Sequence, residues 1–220
     1  MRVVIAGGHG KIALIVEKLL TDRGDEAVGL IRNPDQSDDL RRVGAEPVVL
    51  DLENSTVEAV AAILDGADAV IFAAGAGPGS GIDRKTTVDR DAAILLADAA
   101  EAAGISRYLM VSAMGADRRD SGETDDPVFA AYLDAKAAAD EAVRARPGLN
   151  ATIVRPGLLT DEPATDRVRV AESTGRGSIP RADVAAMLVA LLDVPATGGS
   201  TFELISGDTS IAEAVSVLSS

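Results

Sequence analysis

Tyr132 and Lys136 stand four residues apart in a segment with helical periodicity, so their side chains share one helix face and can meet. The chain holds two tyrosines and four lysines, which makes the pairing a pointed one. An ammonium beside a phenol stabilises the phenolate and lowers its pKa. Such a phenol can donate or accept a proton near neutral pH while a hydride moves to or from a neighbouring carbon. Ser112 follows the apolar run Tyr108–Val111 and offers a hydroxyl that could hold a carbonyl or alcohol oxygen. Each has a plainer reading, a helix-surface contact for the pair and a strand-end hydroxyl for the serine.

A second cluster lies at the start of the chain. Gly7-Gly8-His9-Gly10-Lys11-Ile12-Ala13 follows a short apolar strand and opens a helix, in the pattern Gly-x-x-Gly-x-x-Ala. Gly7 permits a tight turn, Gly10 lets backbone N–H groups approach a pyrophosphate, and Ala13 is small enough for helix to pack on strand. The anion would rest on the first turn of the helix, around Lys11 and Ile12. The phosphate loop ending in Gly-Lys-Ser/Thr is absent, which argues against an ATPase. His9 reads as a residue tolerating an unusual loop conformation rather than as a catalytic group.

Twenty-two positions after Gly10, the second strand ends in Arg32, where NAD-preferring folds usually place a carboxylate. A guanidinium pairs with a 2′-phosphate that a carboxylate would repel, so the expected cofactor is NADP (NADPH) over NAD. Asp51, followed by Leu52 after the third strand, can accept from an adenine amino group or simply shape a turn.

The elements positioning these residues alternate. Apolar strands at Val3–Ala6, Ala27–Ile31, Pro47–Leu50, Ala69–Ala73, Tyr108–Ser112 and Thr152–Arg155 are separated by helices. The helices read as Lys11–Arg23, a short one from Pro34 to near Gly44, one capped by Ser55 and running to Leu64, an alanine-rich one over Asp89–Ala103, and Pro127 to about Arg146. Later elements are a strand at Arg167–Ala171, a helix at Arg181–Leu192, a strand at Phe202–Ile205 and a helix at Ile211–Leu218. Strands apolar throughout, each followed by a helix, predict an α/β Rossmann-like, doubly wound parallel sheet with helices on both faces. The chain is expected to form one domain over residues 1–220, with about 157–220 supplying a small C-terminal extension on the substrate side.

Composition narrows the chemistry. The 220 residues include no cysteine and one histidine, excluding disulfides, thiolate metal sites and a cysteine nucleophile, and no metal site is expected. A net charge of −14 repels nucleic acid, and five aromatic residues are too few for base-stacking platforms. No apolar run reaches membrane-spanning length and no signal-peptide pattern precedes the first strand, so a cytoplasmic location without membrane contact is expected. The expected partner is a small-molecule substrate, with the chain a monomer or homodimer. The alanine-rich helix would suit either a subunit contact or ordinary packing on the sheet.

The glycine loop, Arg32, Val111-Ser112, Tyr132-x-x-x-Lys136 and Arg155-Pro156-Gly157 together resemble the atypical short-chain dehydrogenase/reductases. Within these the chain is similar to the compact NAD(P)H-binding group labelled NAD-dependent epimerases or reductases. The resemblance implies that Lys136 also contacts the nicotinamide ribose, that Ala73, Ala74 and Gly75 line the cofactor, and that Pro156, Gly157 and Leu158 approach the carboxamide. It implies an NAD(P)-dependent oxidoreductase with a Ser-Tyr-Lys proton relay, acting as reductase, dehydrogenase or epimerase on a small carbonyl or alcohol. Two alternatives stand beside it, an NADPH-binding sensor without turnover and a reductase of flavins or tetrapyrroles. The loop Ala73–Gly81 carries four glycines, suiting a mobile segment or one reaching over a cofactor. Gly115–Asp126, with Asp117, Arg118, Arg119, Asp120 and Glu123, reads as a cover over the substrate cleft or as a solvated loop.

Overall fold

A computed structural model describes residues 1–77, 79–117 and 126–219. The elements run β1 (Arg2–Ala6), α1 (Lys11–Asp22), β2 (Glu26–Ile31), α2 (Ser37–Arg42), β3 (Glu46–Val49), α3 (Val57–Leu64) and β4 (Ala69–Phe72). They continue with α4 (Ile82–Arg84), α5 (Ala92–Ala102), β5 (Arg107–Val111), α6 (Pro127–Arg144), β6 (Asn150–Pro156), β7 (Leu158–Thr160) and β8 (Arg167–Ala171). Last come β9 (Ser178–Pro180), α7 (Arg181–Leu192), β10 (Thr201–Ser206), β11 (Thr209–Ser210) and α8 (Ile211–Leu218).

Nine strands form one sheet in the order β11-β8-β10-β6-β5-β4-β1-β2-β3. From β3 to β10 every neighbour is parallel, and only β8 and β11 turn the sheet antiparallel at its far edge. This is the Rossmann-like doubly wound arrangement expected from the alternation of apolar strands and helices. The order reverses between β1 and β4, opening a crevice outside their carboxyl ends, where ligands of such sheets bind. The late segment is therefore less separate than its looser pattern suggests: β8 and β10 extend the main sheet, and only β7 and β9 pair apart from it.

Alternate side chains of each strand feed two apolar layers. One face packs Val3, Ile5, Ile71 and Leu109 under α1, α7 and α8. The other packs Val4, Val70, Phe72, Tyr108 and Met110 under α3, α5 and α6. The buried alanines of α5 (Ala92, Ala93, Ala97, Ala99 and Ala100) belong to this second layer, so that helix faces its own sheet. No helix among the described residues is long and apolar enough to cross a membrane.

Two boundaries differ from the sequence expectation. The helix expected from Asp89 begins at Ile82, and its residues Lys85–Asp91 form a π-helical segment between α4 and α5. Residues 82–88 are mostly polar, so they carry no apolar stripe to betray a helix. The cap of α3 is Thr56, whose hydroxyl accepts from Ala59 N at 3.3 Å, while Ser55 instead donates to Asp51 O at 2.7 Å. Asp126 caps α6, accepting from Val128 N and Phe129 N ahead of Pro127.

Candidate active site and cofactor cleft

The glycine turn leaves β1 at the sheet's switch point. Gly7 has φ +81°, and a Cβ there would lie 2.6 Å from Ala74 Cα, so the turn requires glycine. Gly10 N donates to Gly7 O at 2.7 Å, closing the turn, and Gly10 O accepts from Leu14 N. The first-turn N–H groups of Lys11, Ile12 and Ala13 have no intrahelical acceptor by construction, and no acidic residue occupies that turn. This cradle fits a pyrophosphate, whose charge the helix dipole favours.

Ala73, Ala74 and Gly75 run directly past the turn. Ala73 N donates to Ala6 O at 3.0 Å, and Ala74 forms the wall that forbids a side chain on Gly7. His9 Nε2 lies 2.7 Å from Asp39 Oδ2 and so pins the loop to α2. Lys11 reaches across to Asp161 Oδ2 at 2.5 Å, and Arg181 holds the other oxygen of that carboxylate at 2.6 Å. Ile12 packs on the first apolar layer.

At the end of β2, Arg32 donates to Glu53 Oε2 at 2.9 Å. Asp51 shapes the turn after β3, since its Oδ1 accepts from Glu53 N and its Oδ2 from Asn54 Nδ2. Leu52 packs on the second apolar layer. Pro156 O accepts from Met114 N at 3.2 Å, Gly157 N donates to Leu204 O, and a Cβ on Gly157 would lie 2.4 Å from Gly177 O. Leu158 is 73 % exposed, an apolar side chain left in the open.

The Tyr132–Lys136 pair is brought together as the spacing predicts, with Lys136 Nζ 5.9 Å from the Tyr132 ring centroid. Its surroundings were less legible. Lys136 is buried, with Nζ 3.3 Å from Asp89 Oδ1 and 3.3 Å from Val111 O, over the Phe72 ring. Asp89 comes from the π-helical segment and accepts from Ala76 N at 3.2 Å, tying Lys136 to the loop after β4. Lys85, on the same segment, places its Nζ 5.2 Å from the Tyr132 ring centroid and donates to Gly77 O at 3.0 Å. Sequence reasoning missed both residues because a π-helical segment sets a register that α-helical spacing does not reproduce.

One expectation is reversed. The lysine was expected to lower the phenol pKa, but burial and then the nearby Asp89 and Asp140 carboxylates push the Tyr132 phenol up. The Lys136 charge is spent on Asp89 and cannot prevail over desolvation.

Ser112 is buried beside the Asp140 carboxyl, and among the described residues its Oγ completes no hydrogen bond. Burial pushes the Asp140 carboxyl up, against the pull of the Ser112 hydroxyl, Arg155 and Lys136. Arg155 Nε donates to Asp140 Oδ2 at 2.9 Å, and its Nη1 lies 3.0 Å from Asp117 Oδ2. Arg155 and Asp140 form a buried pair that Asp117 meets from the surface, while Lys136 and Asp89 form a second buried pair. Arg118, Arg119, Asp120 and Glu123, expected in a cleft cover, lie outside the described residues, as does Pro78 of the loop after β4.

The chain is similar to known proteins over nearly its whole length. The chain is 40 % identical over 219 residues to the uncharacterized sugar epimerase YhfK of Bacillus subtilis (strain 168), covering 99 % of this chain and 100 % of the relative. A solved structure from Bacillus halodurans, carrying the provisional name NAD-dependent epimerase/dehydratase, superposes with a TM-score of 0.90 at 39 % identity, over 99 % of both chains. The oxidoreductase ylbE of Lactococcus lactis superposes with a TM-score of 0.87 at 26 % identity, over 99 % of this chain and 96 % of that one. The family model described as NAD(P)H-binding matches residues 7–195, from the glycine turn through α7, and the chain belongs to that NAD(P)H-binding family.

Proposed function

We propose that the chain is an NADPH-dependent reductase of small carbonyl compounds, in which Tyr132 is the proton donor. The observation that carries this reading is the cluster of Tyr132, Lys85, Lys136 and Asp89 beside the segment that packs on the glycine turn. The nicotinamide cofactor, when bound, supplies the hydride. Gly7, Gly10 and the first turn of α1 hold its pyrophosphate, and Arg32 faces the 2′-phosphate. Ala73–Gly75 would line the cofactor, and Pro156–Leu158 would approach its carboxamide.

A phenol held above its ordinary pKa stays protonated through neutral pH, so it can give a proton to an oxygen gaining charge, as a weaker acid than a phenol matched to that pH. That favours carbonyl reduction over epimerisation, which would need the same phenol to act first as a base. Lys136 keeps Asp89 neutralised, Lys85 leaves positive charge near the ring, and Ser112 is the further hydroxyl of the relay. The exposed Phe129 ring, 6.0 Å from Tyr132, offers an apolar flank to the substrate.

The test is a fluorescence titration comparing NADPH with NADH, followed by an aldehyde and ketone panel with the wild type and Tyr132→Phe. Tighter NADPH binding, with turnover that Tyr132→Phe lowers by about 10²–10⁴-fold, supports the reading. Turnover that survives Tyr132→Phe intact refutes the proton donor.

A further inference from the structure

Beyond the glycine turn and the Tyr132 cluster, a third group of charges gathers where β2, β3 and α4 end. Glu53 lies in the turn after β3 and is mostly buried. Its Oε2 accepts from two guanidiniums, Arg32 Nη1 at 2.9 Å and Arg84 Nη2 at 2.9 Å. Its Oε1 accepts from Thr87 Oγ1 at 2.6 Å. Arg32 is expected at this edge, whereas Arg84 arrives from the last residue of α4 and shares no motif with it.

Features of this cluster set it apart from a closed ion pair. Two guanidiniums, Arg32 and Arg84, converge on the single carboxylate of Glu53. Arg84 Nε is buried with no hydrogen-bond partner among the described residues, and an unmade bond to a buried donor is costly. Each guanidinium also turns only one terminal nitrogen to Glu53, leaving further donors on both. A single carboxylate oxygen holds the two planar groups side by side, the arrangement that recognises a phosphate.

We propose that Arg84 is the second guanidinium of a clamp for the 2′-phosphate of NADP, with Glu53 and Thr87 fixing its distance from Arg32. This rests on the reading that Arg32 faces that phosphate. Arg84 is then a specificity-determining residue that acts on NADPH and leaves NADH alone.

The experiment measures NADPH and NADH affinities of the wild type, Arg32→Ala, Arg84→Ala and Arg84→Lys by calorimetry, with 2′,5′-ADP and 5′-AMP as fragment probes. Loss of a charge-assisted hydrogen bond predicts that Arg84→Ala weakens NADPH and 2′,5′-ADP by roughly 10–100-fold. NADH and 5′-AMP should change by less than about 3-fold. Arg84→Lys should keep part of the preference, because it retains the charge without the fork. The salt dependence of NADPH affinity should be shallower in Arg84→Ala. Equal weakening of NADPH and NADH, or no weakening, overturns the proposal even if Arg32→Ala abolishes the preference. Equal NADPH and NADH affinity in the wild type refutes the Arg32 reading itself, and the clamp with it, before any variant is made.

Discussion

The ammonium of Lys136 lies 3.3 Å from the carboxylate of Asp89, so the lysine that helical spacing pairs with Tyr132 is neutralised from the opposite side. Lys85 approaches the same ring and donates to the Gly77 carbonyl, with no ion pair among the described residues. The two lysines therefore act differently on the phenol. Asp89→Asn should lower the Tyr132 pKa, by removing a repelling carboxylate and freeing Lys136. Lys85→Met should raise it further. Alkaline difference absorbance, with Tyr132→Phe subtracted to remove Tyr108, reads both shifts. Movement in the same direction would contradict this division of roles.

With Tyr132 as the proposed proton donor, its elevated pKa predicts the pH dependence of turnover. Tyr132 is protonated at neutral pH, so kcat for carbonyl reduction should stay level from neutral into alkaline solution and fall only as the phenol ionises. Alcohol oxidation needs the phenolate and should rise with pH over the same range. A reduction rate that falls between neutral and mildly alkaline pH, in an otherwise stable protein, would assign the proton donor to another group.

Glu17 is a second buried acid. It is fully buried on α1, neither carboxylate oxygen has a partner among the described residues, and a Cβ on Gly29 would lie 2.5 Å from its Oε1. Burial pushes its pKa from 4.5 up to about 8. Between those values the folded chain keeps a proton that the unfolded chain has released, so stability falls as pH rises through the window. At ~1.4 kcal/mol per unit the loss approaches about 4–5 kcal/mol by the upper end. Urea denaturation at mildly acidic and mildly alkaline pH should show that decline in the wild type. It should be absent in Glu17→Gln, which carries a neutral side chain of the same shape.

Gly7 couples stability to cofactor binding. Alanine there would take up a left-handed backbone that L residues resist by about 1–2 kcal/mol, and its methyl would press on Ala74. The turn and the neighbouring segment must move apart, deforming the pyrophosphate cradle. Gly7→Ala should lower the melting temperature and weaken NADPH and NADH alike by more than about 10-fold. Gly66→Ala, at a positive φ with open space around it, supplies the control: some loss of stability without loss of cofactor affinity.

The local chemistry was legible in the chain itself. The Gly-x-x-Gly-x-x-Ala turn after an apolar strand, Asp126-Pro127 at a helix start, and Tyr132 four residues before Lys136 each depend on neighbours within a few positions. The parallel sheet followed the same logic, because fully apolar strands alternating with helices must bury both faces, whereas the order of its strands came from the structure. What only the tertiary structure decided was where charges end up. Asp89 and Lys85 reach Tyr132 and Lys136 from more than forty residues away, through a π-helical turn with no apolar stripe to announce it. Arg84 meets Arg32 only because the turn after β3 places Glu53 between them. The direction of the Tyr132 pKa also needed the structure: burial comes first and the Asp89 carboxylate second, and neither can be counted along a sequence.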